Sequence, residues 1–596
     1  MKRRLLSAFL AVMMVLTMAP VAFAADGDTA ATPENVAEIN GTGYATLQAA
    51  VDAAKAGDTI TLLKDITVDG TDKVTSRTVI DKPITLDLND KTIKSPDNMG
   101  ANTNNFTALH ISADVTINAT TGGINTGTNG AYAINVMNGA TLTSNGGNYY
   151  GGGTAVQVQE GTANINGGTF ACEPYGDPYG YKFLINCIDS AYKNGTAKVS
   201  IKGGSFVNFD PSDSASENPK GNFCASGYVA VKSGTDDAPV WTVEDHRVAE
   251  VGNIGYSTLS AAVAAANNGD TVTLLTNTDE DITIAQDKDI ILDLNGKKLT
   301  NVASHTIFNK GTLTINGNNG TVDNVTNGTA AVYNDVTGKV TINGGSYTRS
   351  AEASKDENNS GGNSWYVIHN YGIMNINKGT FKFSDTNVGA FSSLIHNGWY
   401  DGSKNTAQKN AVMTINDGDF TQGTGGKITV KNDDYGELEI KGGVFTQPQN
   451  NYYCIFSYNI AKISGGTING YVGNAYGNET CDKGDLTISD NAVVNGGVQS
   501  ATAAGNDSSD KKNLIKITDN AKVAGAITSA DVKYVSVSGG YFTTDPSAYV
   551  ASGYVAGTSD VSGYSYKVVA KTNTGNVEVK PDVADPEVKV SDSISK

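Results

Sequence analysis

The chain has 596 residues, including 68 Gly and only 13 Pro, and 17% of it is charged, against about 25% in an ordinary soluble protein. It is too long for one small domain and too poor in Pro for a disordered linker protein. A net charge of −18 with only five Arg (Arg3, Arg4, Arg77, Arg247 and Arg349) argues against nucleic acid or an anionic membrane surface as a partner.

Residues 1–24 read as an export signal. Lys2, Arg3 and Arg4 precede an apolar run over 5–18, and Ala22-Phe23-Ala24 offers small residues at the two positions a signal peptidase reads. A linker is expected over 25–39, a first β-rich module over 40–250 and a second, longer one over 251–575. The polar tail over 576–596 carries neither an LPxTG motif nor an apolar end. No later run has the roughly 20 apolar residues that a transmembrane helix needs. The expectation is therefore a secreted, extracellular protein, released or associated with the cell wall. The pairs Cys172/Cys187 and Cys454/Cys481 could bridge neighbouring loops, leaving Cys224 over; buried free thiols are the plainer expectation.

Two long copies organise the chain. Residues 44–63 (YATLQAAVDAAKAGDTITLL) return at 256–275 (YSTLSAAVAAANNGDTVTLL), and Leu86-Asp87-Leu88-Asn89 returns as Leu292-Asp293-Leu294-Asn295. Each copy opens with apolar residues at helical spacing (Leu47, Ala50, Val51, Ala54; Leu259, Ala262, Val263, Ala266) behind a capping Thr, with Gly57 or Gly269 at the expected helix stop. Strand alternation follows at 59–62 and 271–274. The two modules are expected to close alike, because Ser226-Gly227-Tyr228-Val229-Ala230 returns as Ser552-Gly553-Tyr554-Val555-Ala556.

A smaller unit recurs inside the copies: an alternating strand, a Gly-containing turn, then an aromatic. Examples are NINGGTF at 164–170, VTINGGSY at 340–347, LEIKGGVF at 438–445 and VSVSGGYF at 535–542. Where units adjoin, the second turn Gly recurs at intervals of 21 (Gly147, Gly168), 25 (Gly418, Gly443) and 23 residues (Gly443, Gly466). Such a unit cannot bury its own apolar side, so it must stack on copies of itself. The predicted architecture is an all-β, right-handed parallel β-helix solenoid in two capped modules. It has three short strands per coil, aliphatic columns inside and aromatics stacked from coil to coil. A leucine-rich repeat lacks its LxxLxL signature here, and collagen fails because Gly does not recur at every third residue.

These paired openings, with their VTINGG(S/T)(F/Y) coils, resemble the secreted pectin-lyase-like β-helix proteins of Gram-positive, often gut-dwelling, bacteria. The resemblance covers most of residues 40–570. It implies export and a parallel β-helix. For activity it implies little, since polysaccharide lyases, glycoside hydrolases and adhesins share the fold.

A lyase of that kind neutralises a uronate, usually with calcium, while Arg or Lys removes a proton. No Arg of the mature chain lies in a unit with an evident carboxylate cluster. The hydrolase motifs GHG and RIK are absent, so Asp236-Asp237 and Asp433-Asp434 read as solvated loop acids and Thr278-Asp279-Glu280-Asp281 as an exposed turn. Ile368-His369-Asn370 and Ile395-His396-Asn397 echo one another. Two His from nearby coils could bind metal or exchange a proton, but no acidic partner is evident, and the first module carries Val158 and Asn186 at the matching places. They read as ordinary outer-face or turn residues, and no catalytic residue, metal site or cofactor is expected.

Trp365, Tyr366, Tyr371, Trp399 and Tyr400 fall together in the second module. If neighbouring coils gather them beside His369 and His396, they form a platform for stacking against sugar faces. A Tyr-rich insert at 174–181 reads as a protruding loop of the first module. The functional expectation is an extracellular, non-enzymatic scaffold or adhesin-like protein binding polysaccharide or host glycans. The alternatives are a polysaccharide lyase or glycoside hydrolase, and a passive wall or matrix component.

Overall fold

The computed structural model describes residues 34–68, 77–99, 106–128, 132–173, 182–217, 220–350, 365–384, 392–399, 410–475, 484–502 and 514–572. The export segment, the insert at 174–181, Tyr400, Cys481 and the polar tail lie outside the described residues. The chain divides into two compact units, Met1–Arg247 and Val248–Lys596. Each is an all-β solenoid of short, mostly parallel strands, as the repeats predict.

Each unit opens on an antiparallel hairpin and one short helix. Ala37–Ile39 pairs with Thr42–Tyr44 in the first unit, and Ala249–Val251 with Ile254–Tyr256 in the second. The helices are Leu47–Ala53 and Leu259–Ala265. Thr46 and Thr258 accept from the backbone N–H of Ala49 (3.0 Å) and Ala261 (3.1 Å), so the predicted caps form. Leu47, Ala50, Val51 and Ala54, and their second-unit counterparts, are buried, closing the end of each core.

The stop differs from expectation. Each helix ends on an extended alanine, Ala54 or Ala266, and Gly57 lies three residues farther on at φ +88°, in the turn into the strand Thr59–Leu62. There its N–H bonds the carbonyl of Pro83 in the next coil (2.8 Å), so this Gly serves the turn rather than the helix. Glu280, read as part of an exposed turn, instead caps the second helix: its carboxylate accepts from the N–H of Leu259 (2.7 Å) and Ser260 (3.0 Å).

Stacked columns of inward side chains fill the second unit's core. One runs Val272, Leu292, Ile315, Ile342, Ile376, Ile415, Ile440, Ile463, Ile488, Ile517, Val537, each paired with the next and fully buried. A second holds the predicted ring stack: Tyr347, Phe381, Phe420 and Phe445 lie 5.0, 4.7 and 4.6 Å apart with nearly parallel planes. Tyr149, Phe170 and Phe206 do the same in the first unit at 4.9 and 5.1 Å.

A third column belongs to a separate ten-stranded sheet and was not predicted. There Asn309, Asn334, Asn370, Asn397 and Asn432 stand in register, all fully buried. Each side-chain amide donates to the Oδ1 of the next, at 2.8, 2.7, 2.8 and 2.8 Å, and Asn432 ends the run on Ser457 Oγ at 3.0 Å. Each also bonds carbonyl oxygens at the adjoining corner, as Asn334 does to Gly338 (3.1 Å), which satisfies the buried NH2 groups; among the described residues of this column only Asn309 Oδ1, at the head of the run, is left without a partner. Glycine is needed at that corner because a Cβ on Gly338 would stand 2.1 Å from Asn334 Oδ1. In the first unit the same kind of column is aliphatic: Ile80, Ile111, Val136, Val158 and Cys187.

Both units close on antiparallel hairpins whose first strand is the shared closing segment. Tyr228–Thr235 pairs with Ala238–Asp245, which lies on Phe206; Tyr554–Thr558 pairs with Tyr566–Ala570, which lies on Phe542. Both solenoid ends therefore carry an antiparallel cover over the open strand edge. Cys172, Cys187, Cys224 and Cys454 are free thiols, and burial raises the first two and Cys454 to about 12. No helix among the described residues is long and apolar enough to cross a membrane.

Candidate functional site: an aromatic face around two buried histidines

The site lies on the outer side of the ten-stranded sheet. Its strands read aliphatic, variable, Asn: Ile307–Asn309, Val332–Asn334, Ile368–Asn370, Ile395–Asn397 and Val430–Asn432. Because successive side chains alternate across a strand, the aliphatic and Asn positions face inward and the middle position outward. The outward column is Phe308, Tyr333, His369, His396, Lys431, Phe456, each in register with the next.

Residues flanking the strands complete the cluster. Ser392 Oγ holds the carbonyl of Trp365 at 3.1 Å, Tyr371 donates its N–H to Asn334 O at 2.8 Å, and Trp399 donates its N–H to Asp434 O at 2.8 Å. The rings then meet. Tyr371 stacks on Trp399 at 4.1 Å and Tyr366 on His396 at 4.3 Å; Trp365 lies 5.3 Å from Tyr366, and His369 lies 4.4 Å from Tyr371. Trp365, Tyr366, Tyr371 and Trp399 are half-buried, so each keeps part of its surface in solvent. Tyr333 extends the patch toward His305 (4.3 Å) and Phe308 (5.1 Å). Six of the seven residues singled out from the sequence are thus brought together, and the seventh is Tyr400, outside the described residues.

The two histidines depart from the sequence reading. They are buried, not ordinary outer-face residues: His369 is 3% exposed and His396 fully enclosed, with ring centres 4.6 Å apart and planes at 90°. An acidic partner does exist. Asp433 Oδ2 lies 3.2 Å from His396 Nε2 and 2.5 Å from Lys431 Nζ. Asp433 and Asp434, read as solvated loop acids, are buried at 3% and 6% exposure, because their turn packs against Asn397 and Trp399. Asp236 remains at the tip of an exposed hairpin, paired with Lys232 at 2.9 Å. The matching with the first module also shifts. Val158 faces inward beside Val136 and Cys187, and the outward column there is His110, Asn135, Gln157, Asn186. That first-unit column is amide-rich where the second unit is aromatic.

Electrostatics follow from burial. Burial pushes both imidazoles below the ordinary histidine range; at His369 the neighbouring His396 and His305 add to this, while at His396 the Asp433 hydrogen bond opposes it. For Asp433 burial acts upward, yet the His396 hydrogen bond and the Lys431 charge outweigh it and hold the carboxyl below its usual range. Burial, then Asp433, raises Tyr371 to about 12, so it stays a phenol. Among the described residues, the buried atoms without a hydrogen-bond partner include the indole nitrogens of Trp365 and Trp399, both nitrogens of His369 and Nδ1 of His396. No group of three or more His, Cys, Asp or Glu side chains is placed to hold a metal among the described residues.

No protein-family profile matches the chain, and neither a curated protein nor a solved structure matches it.

Proposed function

We propose that the chain is an exported β-helix scaffold of the pectin-lyase-like kind, adhesin-like in role, whose second unit binds polysaccharide or host glycan through this aromatic face. The observation that carries the reading is the stacked Tyr371–Trp399 pair, flanked by Trp365 and Tyr366 and only half-buried. Flat rings that keep part of their surface in solvent can cover the C–H faces of a pyranose. Export is supported by Lys2, Arg3 and Arg4, the apolar run after them and Ala22-Phe23-Ala24.

The test is a panel of uronate-rich and neutral polysaccharides offered to the purified protein and scored for retention and for cleavage. Retention of at least one glycan, abolished by Trp365→Ala with Trp399→Ala, supports the reading. No retention leaves a passive wall or matrix component.

A second reading, a polysaccharide lyase or glycoside hydrolase, is favoured by the Lys431–Asp433–His396 chain, which joins a base, an acid and an ammonium on one face. Against it, His396 is fully enclosed. New reducing ends or unsaturated products, lost with Lys431→Ala, would replace the scaffold reading with this one.

A further inference from the structure

We propose that His369 and His396 form a two-imidazole binding site for a late first-row divalent transition-metal cation, with Cu(II) held most strongly. The proposal does not depend on whether the aromatic face binds glycan.

The two residues occupy facing positions of adjacent parallel strands. Their ring centres stand 4.6 Å apart and their planes are perpendicular. Metal–nitrogen bonds of about 2.0–2.1 Å put the ring centres of two imidazoles on one cation roughly 4.5–5 Å apart when the bonds meet near a right angle. The observed spacing falls in that range.

The unpaired atoms supply a second, independent argument. Among the described residues, both nitrogens of His369 and Nδ1 of His396 are buried without a hydrogen-bond partner. A buried polar group left unmatched costs about 1–3 kcal/mol. Every other large ring in this outward column is Phe or Tyr, at Phe308, Tyr333 and Phe456, which would fill the same space at lower cost. Imidazole at two facing positions is explained if its nitrogens have a ligand.

The surroundings of His396 add a third. Its remaining nitrogen, Nε2, is hydrogen-bonded to Asp433, and Asp433 is held in turn by Lys431. A carboxylate on the far nitrogen fixes the tautomer, leaves Nδ1 with its lone pair and makes it a better donor, the outer support that ligating histidines usually have. Neutral imidazole nitrogens suit Cu, Zn and Ni, and affinity across the series peaks at Cu(II). With only two protein donors, the other coordination positions fall to water that must enter beside His369, which is 3% exposed where His396 is fully enclosed.

The test titrates the full chain with copper(II), nickel(II) and zinc(II) chloride by calorimetry and records the electron paramagnetic resonance spectrum of the copper form. The expected result is one equivalent of Cu(II) with hyperfine splitting from two imidazole nitrogens. Affinity should fall 10-fold or more in His369→Ala and in His396→Ala, and about 10-fold in Asp433→Asn. His246→Ala, which alters an exposed histidine, should leave that equivalent intact. Circular dichroism checks that each variant remains folded. The unaltered protein decides the matter even if a variant does not fold: a copper spectrum without two-imidazole splitting, or no bound equivalent, overturns the proposal. So does binding that survives both histidine replacements.

Discussion

Asp433 Oδ2 lies 3.2 Å from Nε2 of His396, across 37 residues of chain, and the same oxygen accepts from Lys431. The side chains of His396 and Asp433 are 0% and 5% exposed, and that of Lys431 only 15%, so the carboxylate is the counter-charge of a largely desolvated ammonium. Asp433→Ala removes it and should destabilise the second unit by about 2–3 kcal/mol, below the full cost of orphaning a deeply buried charge because Lys431 can reach water. The urea midpoint of that unit measures the loss.

Acid should weaken the second unit. His369 and His396 bind protons less readily folded than unfolded, and burial lowers His305 to about 4 with help from Arg349. Their contribution is fully present above the unfolded value of about 6.5 and is lost as pH falls below it, by up to about 1.4 kcal/mol per pH unit for each imidazole. The melting temperature of the second unit should therefore drop between pH 7 and pH 5. His369→Phe, the residue type of Phe308 and Phe456 in the same column, should reduce the slope.

The asparagine column is a chain of mutual dependence. Asn370 accepts from Asn334 at 2.7 Å and donates to Asn397 at 2.8 Å, so Asn370→Ala removes one acceptor of the Asn334 amide, which keeps Gly338 O, and the donor on Asn397 Oδ1 inside the core. A loss of about 2–4 kcal/mol is expected, with faster hydrogen exchange at Ile368–Asn370 and Ile395–Asn397. The first unit, whose column is aliphatic, should exchange unchanged.

The ring stack gives a packing prediction. Phe381 is fully buried between Tyr347 at 5.0 Å and Phe420 at 4.7 Å. Phe381→Ala should cost about 3–5 kcal/mol, read from the same unfolding midpoint. Phe381→Tyr should cost less, because Tyr347 already fits its hydroxyl to the carbonyl of Gly344 (3.0 Å) within the stack.

What the sequence made legible was whatever repeats at short range. The helix caps Thr46 and Thr258, the ring after each Gly-containing turn and the closing hairpin strands all recur with similar neighbours, so periodicity exposes them. The echo of His369-Asn370 and His396-Asn397 was visible too. Its extension to Phe308-Asn309, Tyr333-Asn334 and Lys431-Asn432 was missed, because 36 and 35 residues, not 25, separate Asn334 from Asn370 and Asn397 from Asn432. An aliphatic-x-Asn pattern followed within a few residues by Gly was the signal available. Pairing His396 with Asp433 requires the strand register, which loop insertions hide from a one-dimensional reading.

The central claim is that carbohydrate binds at the aromatic face of the second unit. The chain has three tryptophans, Trp365 and Trp399 of that face and Trp241 in the closing hairpin of the first unit. In a Trp241→Phe variant, emission excited at about 295 nm therefore reports on Trp365 and Trp399. Titrating a retained glycan into this variant should change that emission and saturate with the Kd found by retention. Tight glycan binding with no change in emission would place the ligand elsewhere and contradict the account.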